Sequence, residues 1–594
     1  MKWLQPLLLN LARGSKPALF LAWCLLVAFF ALTMANNFSE TDDVFAFAFR
    51  AENFPLDHIS DPRLMLYHMA MRSIYLVVST IDPQVSALAL MRTFSLLCAP
   101  VCLLLLLRIM HREFGMDAVS AVLTTALLAV TYGFWRYAVE ADVYIPAIAW
   151  ILLVFSYLLR LQRSRERQFG ATIFAGLLGG LGVLFYQPSA IPLFFVFPLM
   201  LMFRSGVGSA FLYGIVGTIV VVAGYVAGYL YAMDLPLNRN NLIYFLSQRS
   251  GEFMVPALSL GVVVKSIIKS GFALSHDLLS ASWVFGSEML SALVHRIFPS
   301  NVTEEEIYAA RSVGQLIYLP FITIPMILAG LFTLWRRIPE IPWRVWKSWQ
   351  AMVLLVWLLL NAAVIGRLNP AGIEAWLMVL VPLVGLVGLL VIRPAVEAGE
   401  TRLIAALLTL VLVHNWFAGM LIVRDSDSDY DYVKGEWVIE QALENDLVIV
   451  VDDAGFAELM RYRSKAEVVL VSSLSTPTLA RMLLSGRPGD IPVYTRGRDF
   501  AGLPLFSYIE EVRRTSGFVF LFEDFVTWNT EYRRYYGEPN EQAKALFDRM
   551  IAERARETQE GVIGRSFRMS VARPAKSDFS SERAGRTSRL PQVE

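Results

Sequence analysis

The sequence predicts a polytopic α-helical membrane protein that carries a small extramembrane α/β domain in its C-terminal part. Of its 594 residues, 56% are hydrophobic and only 17% are charged, a composition typical of chains with many membrane helices. Apolar runs of membrane-spanning length recur between residues 17 and 423. Beyond them, short strand-like runs alternate with helical segments, and this alternation predicts the α/β domain.

The membrane part is predicted to contain about eleven spans, since roughly 17 to 25 apolar residues are needed to cross a bilayer. The first follows basic residues, but no clear cleavage site follows it, so we expect it to be retained. The predicted spans lie near residues 17–34, 85–107, 118–135, 143–160, 170–186, 189–203, 209–232, 315–335, 350–366, 374–392 and 402–423.

Basic residues between the spans predict the orientation of the chain. They fall on one side of the predicted membrane: Lys2, Arg13, Lys16, Arg108, Arg112, Arg160, Arg163, Arg165, Arg167, Arg336, Arg337, Arg344 and Lys347. The positive-inside rule makes that side cytoplasmic. We therefore expect a multi-pass protein of the plasma (inner) membrane, with a cytoplasmic N-terminus. Residues 35–84, 136–142, 233–314 and 367–373 are then extracytoplasmic, like the C-terminal domain.

Three parts of the chain are predicted from this pattern. Residues 1–424 form the transmembrane domain with external loops 35–84 and 233–314, residues 425–555 form the external α/β domain, and residues 556–594 are too polar to fold and form a disordered tail. The strands expected in the α/β domain are "DLVIVVDD" (446–453), "AEVVLVSS" (466–473), "IPVYTRG" (491–497) and "FVFLFED" (518–524).

The stretch "YAVEADVY" places Glu140 and Asp142 in a turn between two predicted spans. On a helix these side chains would point about 200° apart, whereas an extended turn directs both to one side. Ionisable groups at membrane depth are costly to hold there and usually functional. The alternative is that Asp142 caps the following helix while Glu140 faces lipid head groups.

A second acidic cluster follows the first span directly and consists of Glu40, Asp42 and Asp43. The alternative for this cluster is an ordinary solvated loop. His58, in the same loop, is a weaker candidate for a functional residue. Because both acidic clusters are predicted on the same face of the membrane, we expect one site to collect them.

These two segments resemble the acidic motifs of membrane glycosyltransferases of the GT-C fold, in particular the protein O-mannosyltransferase-like branch. That family carries an acidic pair in the first external loop, matched by "ETDDVFAF", and often a second acidic motif between the third and fourth spans, matched by "WRYAVEADVY". The resemblance covers residues 17–190 well and 425–475 loosely. It implies a GT-C-like enzyme that transfers a hexosyl or pentosyl group, on the extracytoplasmic face, from a polyprenyl-phosphate or diphosphate donor to an acceptor hydroxyl.

The resemblance also implies roles for individual residues. Asp42, Asp43, Glu140 and Asp142 would be the catalytic carboxylates, with Asp42 favoured as the general base. Glu40 and His58 would contribute from the first loop.

The departing phosphate needs positive charge, for which Arg92 and Arg367 are the candidates. The alternatives are that Arg92 reaches to the outer interface and that Arg367 anchors the next span.

No cofactor is required by this chemistry. Carboxylates from two loops would also suit Mg or Mn, but we expect no metal. The expected partners are the lipid-linked sugar donor, a glycan, lipid or protein acceptor, and the bilayer, whereas a net charge of +1 gives no general attraction for nucleic acid. Two other functions stay open: a lipid or glycan transporter or flippase, and a noncatalytic membrane assembly subunit.

Overall fold

The structure is a computed structural model that describes residues 15–38, 43–55, 61–163, 169–233, 235–247, 259–297, 304–312, 314–337, 345, 347–485, 502–528, 533 and 536–572. The chain divides into two compact units, Met1–Tyr430 and Asp431–Glu594. The first unit ends six residues after the predicted transmembrane domain, residues 1–424, and the second begins after the first six residues of the predicted α/β domain, residues 425–555.

The first unit is built from helices in its described part. Its α-helices, in chain order, are α1 (Lys16–Leu32), α2 (Asp43–Asn53), α3 (Met65–Ser79), α4 (Ala87–Arg108), α5 (Ala118–Val130), α6 (Tyr132–Tyr137), α7 (Tyr144–Arg163), α8 (Phe169–Phe185), α9 (Phe197–Ser205), α10 (Val207–Ala232), α11 (Arg239–Ser247), α12 (Leu260–Leu278), α13 (Glu288–Ile297), α14 (Glu304–Ser312), α15 (Pro320–Arg337), α16 (Trp349–Leu368), α17 (Ile373–Val387), α18 (Arg393–Glu397) and α19 (Thr401–Asn415). Wider π-helical turns follow or precede several of them, at Ile109–Glu113, Ile191–Val196, Gly388–Ile392 and Trp416–Met420.

The apolar helices make this an integral membrane protein. Within the described residues, seven helical stretches are long and apolar enough to cross a membrane: Ala87–Glu113, Tyr144–Gln162, Gln187–Ser205, Val207–Ala232, Trp349–Leu368, Ile373–Glu397 and Thr401–Met420. The shorter apolar helices α1, α5 and α8 coincide with three further predicted spans, and α15 overlaps the predicted span 315–335. The number of helices that cross the membrane, and their orientation, stay predictions.

Helix α4 organises the part of the first unit that carries the acidic residues. It packs against α1, α2, α3, α5 and α7. Its start is capped twice, because Ser86 Oγ accepts a hydrogen bond from the Ala89 N–H at 3.2 Å and Glu52 Oε1 accepts one from the Ala87 N–H at 2.6 Å. The second bond ties the end of α2 to the beginning of α4.

The predicted first external loop, residues 35–84, contains helices α2 and α3, which are joined to each other by Arg72. The guanidinium of Arg72 donates hydrogen bonds to the carbonyls of Ala51 and Glu52, both at 2.7 Å. These are carbonyls in the last turn of α2, which lack partners within the helix. The loop is therefore a folded layer on α4.

Glycines allow helices α8 and α10 to approach each other closely. A Cβ atom added to Gly180 would lie 2.7 Å from the carbonyl oxygen of Gly217 and 2.6 Å from the Cβ of Val220. Small residues at such contacts favour helix association in membranes, where dispersion contacts replace the hydrophobic effect as the driving force.

The second unit holds a five-stranded sheet with the strand order β2-β1-β3-β5-β4. Strand β1 pairs in parallel with β2 and β3, whereas β5 is antiparallel to β3 and to β4. The strands are β1 (Leu447–Val451), β2 (Glu467–Val471), β3 (Val519–Phe522), β4 (Ala555–Gly561) and β5 (Gly564–Met569), and the helices are α20 (Tyr430–Gln441), α21 (Ala454–Arg463), α22 (Thr476–Ser485), α23 (Gly502–Thr515), α24 (Asp524–Thr527) and α25 (Glu541–Arg554). Every residue of β1 is buried, as is usual for a central parallel strand.

The predicted disordered tail is wrong for its first residues. The sequence predicts disorder from residue 556 onward, but β4 and β5 form an antiparallel hairpin there. The sequence gives only a weak signal for this hairpin. Strand β4 is a polar edge strand that is exposed along almost its whole length. Strand β5 places only a few large apolar residues, such as Phe567 and Met569, in the core. The sheet is consequently mixed. The predicted strand 491–497 and residues 573–594 lie outside the described residues.

The close contact between α8 and α10 can be tested with two glycine substitutions. Gly180→Ala is expected to destabilise the first unit by about 1–3 kcal/mol, because the added methyl group meets backbone that must move away. The control is Gly214→Ala on α10, where a Cβ would find no atom within 4 Å. It should leave the thermal unfolding temperature in detergent unchanged or higher, since alanine favours helix. Equal unfolding temperatures for the two variants would contradict the close approach.

Candidate functional site

The segment that leads from α1 to the first acidic cluster is fixed by hydrogen bonds. The backbone N–H groups of Asn36 and Asn37 donate to the carbonyl of Val423 at 3.0 and 3.1 Å. The N–H of Phe38 donates to Asp429 Oδ2 at 2.7 Å. The chain is therefore anchored immediately before the acidic cluster begins.

Glu140 lies in the interior of the first unit, where it forms an ion pair with Arg136. Both side chains are fully inaccessible to solvent. The other guanidinium nitrogen, Nη2 of Arg136, donates to the carbonyl of Asn37 at 2.6 Å. A buried charge needs such a partner, because an unpaired one would be very costly to desolvate. The ion pair thus joins the turn after α6 to the anchored segment.

Arg92 connects the same two parts of the chain. Its Nε donates to the carbonyl of Val139 at 2.9 Å, and its Nη2 donates to the carbonyl of Ala35. The guanidinium also lies 5.1 Å from the ring centroid of Phe38. The sequence predicts a contact with donor phosphate for Arg92, whereas in the structure its donors contact carbonyls on either side of the site.

Asp142 occupies the turn between α6 and α7 and is only 8% exposed. Its Oδ1 accepts a hydrogen bond from the Val143 N–H at 2.6 Å. Burial raises the pKa of Asp142 from 3.8 to about 8, and the negative charges of Asp43 and Glu374 contribute to the rise, which the Val143 hydrogen bond partly opposes. The carboxyl therefore takes up and releases a proton close to neutral pH.

Three carboxyl groups from three separate connections consequently share one region. Asp43 begins α2 and is exposed, Asp142 precedes α7, and Glu374 lies partly exposed in the first turn of α17. Both Asp43 and Glu374 act electrostatically on Asp142. Asp43 and Glu374 both lie in the first turns of their helices, where the helix dipole attracts negative charge. The structure places Asp43 within electrostatic range of Asp142, and the sequence predicts that these two residues share a site.

Two tyrosines lie beside these carboxyl groups. The rings of Tyr144 and Tyr186 meet edge to face with centroids 5.5 Å apart. Tyr186 is also within electrostatic range of Asp142, Glu374 and Arg63. The region thus combines carboxyl groups, one of which has a raised pKa, with phenol groups that can donate hydrogen bonds.

Glu374 was missed in the sequence, although it stands in the stretch "RLNPAGIEAW" that also holds Arg367. Asn369 shapes this connection, because its Nδ2 donates to Glu374 Oε1 at 3.3 Å and its Oδ1 accepts from the Gly372 N–H at 2.9 Å. Arg367 is partly exposed in the last turn of α16. An acidic residue at the external start of a predicted span was the signal that could have identified Glu374.

The acidic residues of the second unit take part in its folding. Asp453 caps α21 by accepting a hydrogen bond from the Phe456 N–H at 3.0 Å, and Asp524 accepts one from the largely buried Lys434 at 2.8 Å. These contacts hold helices in place, so the carboxylates of Asp453 and Asp524 have a structural role.

In the part of the chain that the structure describes, no group of three His, Cys, Asp or Glu side chains is placed to hold a metal ion. Glu40, Asp42 and His58 lie outside the described residues. The question of a metal is therefore still decided only by the sequence-based prediction.

No protein family model matches the chain, and no curated protein sequence matches it. Two similar solved structures are those of ArnT from Cupriavidus metallidurans. The one bound to undecaprenyl phosphate is 11% identical, covers 94% of this chain and 99% of its own, and has a TM-score of 0.41. The apo structure is 12% identical, covers 94% of this chain and 98% of its own, and has a TM-score of 0.40. A likeness this low does not assign a function.

The buried ion pair is expected to behave differently from a surface pair. Arg136→Met should lower the free energy of unfolding by about 3–5 kcal/mol, because Glu140 is left charged and buried. The double variant Arg136→Met/Glu140→Leu should recover most of that loss. Arg393→Met is the control, since its partner Glu397 is exposed, and should cost less than about 1 kcal/mol. The free energy of unfolding is measured in detergent. If Arg136→Met lowers it no more than the control does, the buried pair does not hold the turn and the first loop together.

The raised pKa of Asp142 predicts a pH dependence of stability. Because its pKa is about 8 in the folded protein and 3.8 ordinarily, Asp142 contributes stability that is complete below about pH 4 and is lost as the pH rises through about 8. Asp142→Asn removes this dependence. The unfolding temperature of the variant minus that of the wild type should therefore increase from about pH 5 to about pH 8.5. The exposed control Glu397→Gln should show no such trend. If the difference in unfolding temperature between Asp142→Asn and the wild type does not change with pH, the pKa of Asp142 is not raised.

Proposed function

We propose that this protein is a membrane glycosyltransferase that moves a sugar from a polyprenyl-phosphate or diphosphate donor to an acceptor hydroxyl on the extracytoplasmic face. The observation that carries the proposal is the convergence of Asp43, Asp142 and Glu374 at the end of the helices that the sequence predicts to be external. The acidic motifs of the sequence support the same class. The proposal is made for GT-C enzymes as a whole, because nothing in the site distinguishes the O-mannosyltransferase-like branch.

The reaction needs a proton acceptor at this position. Transfer forms a bond between the acceptor oxygen and C1 of the sugar, breaks the bond from C1 to the phosphate oxygen, and moves the hydroxyl proton to a base. A base is most effective when its pKa lies near the working pH. With a pKa of about 8, Asp142 meets this requirement, and we assign the proton to it. Asp43 and Glu374 then orient the acceptor hydroxyl.

The positive charges divide into two groups in this proposal. Arg367 precedes Glu374 in the same connection and is partly exposed, so it is assigned to the departing phosphate, which a guanidinium can bind with two parallel hydrogen bonds. Arg136, Glu140 and Arg92 are positioning residues, since each contacts protein groups that hold the turn and the first loop together.

The proposal predicts transfer of label from a lipid-linked sugar. The purified full chain in proteoliposomes, supplied with undecaprenyl-phosphate hexoses and pentoses and with a membrane extract as acceptor, should release label from the donor into acceptor. Asp142→Asn should lower the rate by about 10²- to 10⁴-fold while donor binding persists. Arg367→Ala should weaken donor binding. The control Asp82→Asn, at an exposed position, should remain active.

The pH profile separates Asp142 from Asp42, which the sequence favours as the base. If Asp142 accepts the proton, the wild-type rate should rise with pH toward about 8 and this rise should disappear in Asp142→Asn. If Asp42→Asn is inactive while Asp142→Asn has normal activity, Asp42 and not Asp142 is the general base. Movement of the donor across the bilayer without transfer would indicate a flippase, and neither activity would favour an assembly subunit.

A further inference from the structure

A second charged region lies at the other ends of helices α4 and α7. With its π-helical turn, α4 covers Ala87–Glu113, or 27 residues. At 1.5 Å per residue this is about 40 Å, longer than the hydrocarbon core of about 30 Å. Because Arg92, near the first end of the helix, donates to the Val139 carbonyl in the turn that holds Asp142, the last residues of the helix lie at the opposite end, toward the head-group layer of the other leaflet.

Aromatic residues also place the end of α4 at the head-group layer. The ring of Trp349, at the start of α16, meets Phe114 edge to face at 5.6 Å, and the guanidinium of Arg204 lies 4.6 Å from the Trp349 ring centroid. Tryptophan is enriched where membrane meets water, since its ring is amphipathic. Phe114 follows the end of the α4 π-helical turn directly, which places that turn at the same level.

Three arginines gather at this level, Arg108 and Arg112 on α4 and its π-helical turn and Arg160 near the end of α7. Arg108 is within electrostatic range of Arg112, Arg160 and the carboxylate of Glu113. The cations thus outnumber the anion in this group. Within the described residues, Nε of Arg108 is also buried without a hydrogen-bond partner. A basic loop explains why arginines are frequent on this side, but it does not explain their placement together on two packed helices.

Apolar side chains on the same helix faces as the arginines favour a lipid over a free phosphate as the ligand. Val101 and Leu153 are 39% and 45% exposed. Each lies seven residues before an arginine, Arg108 and Arg160 respectively, and therefore on nearly the same face of its helix. Acyl chains would lie along these residues while the phosphate meets the arginines. A free phosphate would contact only the arginines and not the apolar residues Val101 and Leu153.

We propose that Arg108, Arg112 and Arg160 bind the head-group phosphate of an anionic phospholipid on the face opposite the carboxylate site. Paired N–H groups of arginine match phosphate oxygens, and a phosphate relieves the repulsion among the three cations. Basic pockets between membrane helices are suited to such head groups. The site is independent of the proposed transferase activity.

The test titrates the purified full chain with phosphatidylglycerol and counts bound lipids by native mass spectrometry. Arg108→Gln/Arg160→Gln should weaken phosphatidylglycerol binding by about tenfold or more. The matched control, Arg336→Gln/Arg402→Gln, removes the same charge from exposed positions on α15 and α19 and should bind as the wild type does. Phosphatidylcholine should bind more weakly, and inorganic phosphate at the same concentration should not displace phosphatidylglycerol.

If the control variant binds phosphatidylglycerol as weakly as Arg108→Gln/Arg160→Gln does, the effect is a general attraction of the anionic lipid to positive charge, and the proposed site is wrong. Displacement by inorganic phosphate, or equal binding of phosphatidylcholine, would overturn the assignment to an anionic lipid. If Arg108→Gln prevents folding, Arg160→Gln alone keeps the test decisive, because Arg160 is exposed at a helix end. It should lower the affinity by about threefold or more, and an unchanged affinity would contradict the proposal.

Discussion

The buried ion pair between Arg136 and Glu140 is the interaction on which the carboxylate site depends. Its two side chains are inaccessible to solvent, and Arg136 also binds the carbonyl of Asn37. The pair therefore determines where the turn after α6 stands relative to the first loop. Arg92 repeats this connection through the carbonyls of Ala35 and Val139. These contacts, together with the hydrogen bond from Trp135 Nε1 to Thr33 Oγ1 at 2.7 Å, join two segments about a hundred residues apart in the sequence.

The electrostatics of the site follow from this geometry. Because the turn is held against the interior, Asp142 is nearly buried, and burial is the main cause of its raised pKa. The negative charges of Asp43 and Glu374, which both lie in the first turns of their helices, increase the shift. A carboxyl group whose pKa lies near neutral pH is suited to proton transfer during a group-transfer reaction.

The sequence predicts most helices and the meeting of Asp43 with Asp142, because apolar length and acidic residues at span ends are local signals. It does not distinguish Glu140 from Asp142, since only packing decides which carboxyl receives Arg136 and which keeps a titrating proton. Glu374 was missed because it becomes part of the site only through the tertiary packing of α17 against α6 and α7. The hairpin of β4 and β5 was missed for a related reason: a polar edge strand is stabilised by pairing with its neighbour.

Infrared difference spectroscopy of the full chain tests the central claim most directly, because a protonated carboxyl group has a C=O stretching band distinct from that of a carboxylate. We expect a protonated-carboxyl band that titrates with a midpoint near pH 8 and is absent in Asp142→Asn. The midpoint should fall in Asp43→Asn and in Glu374→Gln, since each removes a repelling charge. A band that persists in Asp142→Asn, or a midpoint that neither neighbour changes, would contradict the convergence of the three carboxyl groups.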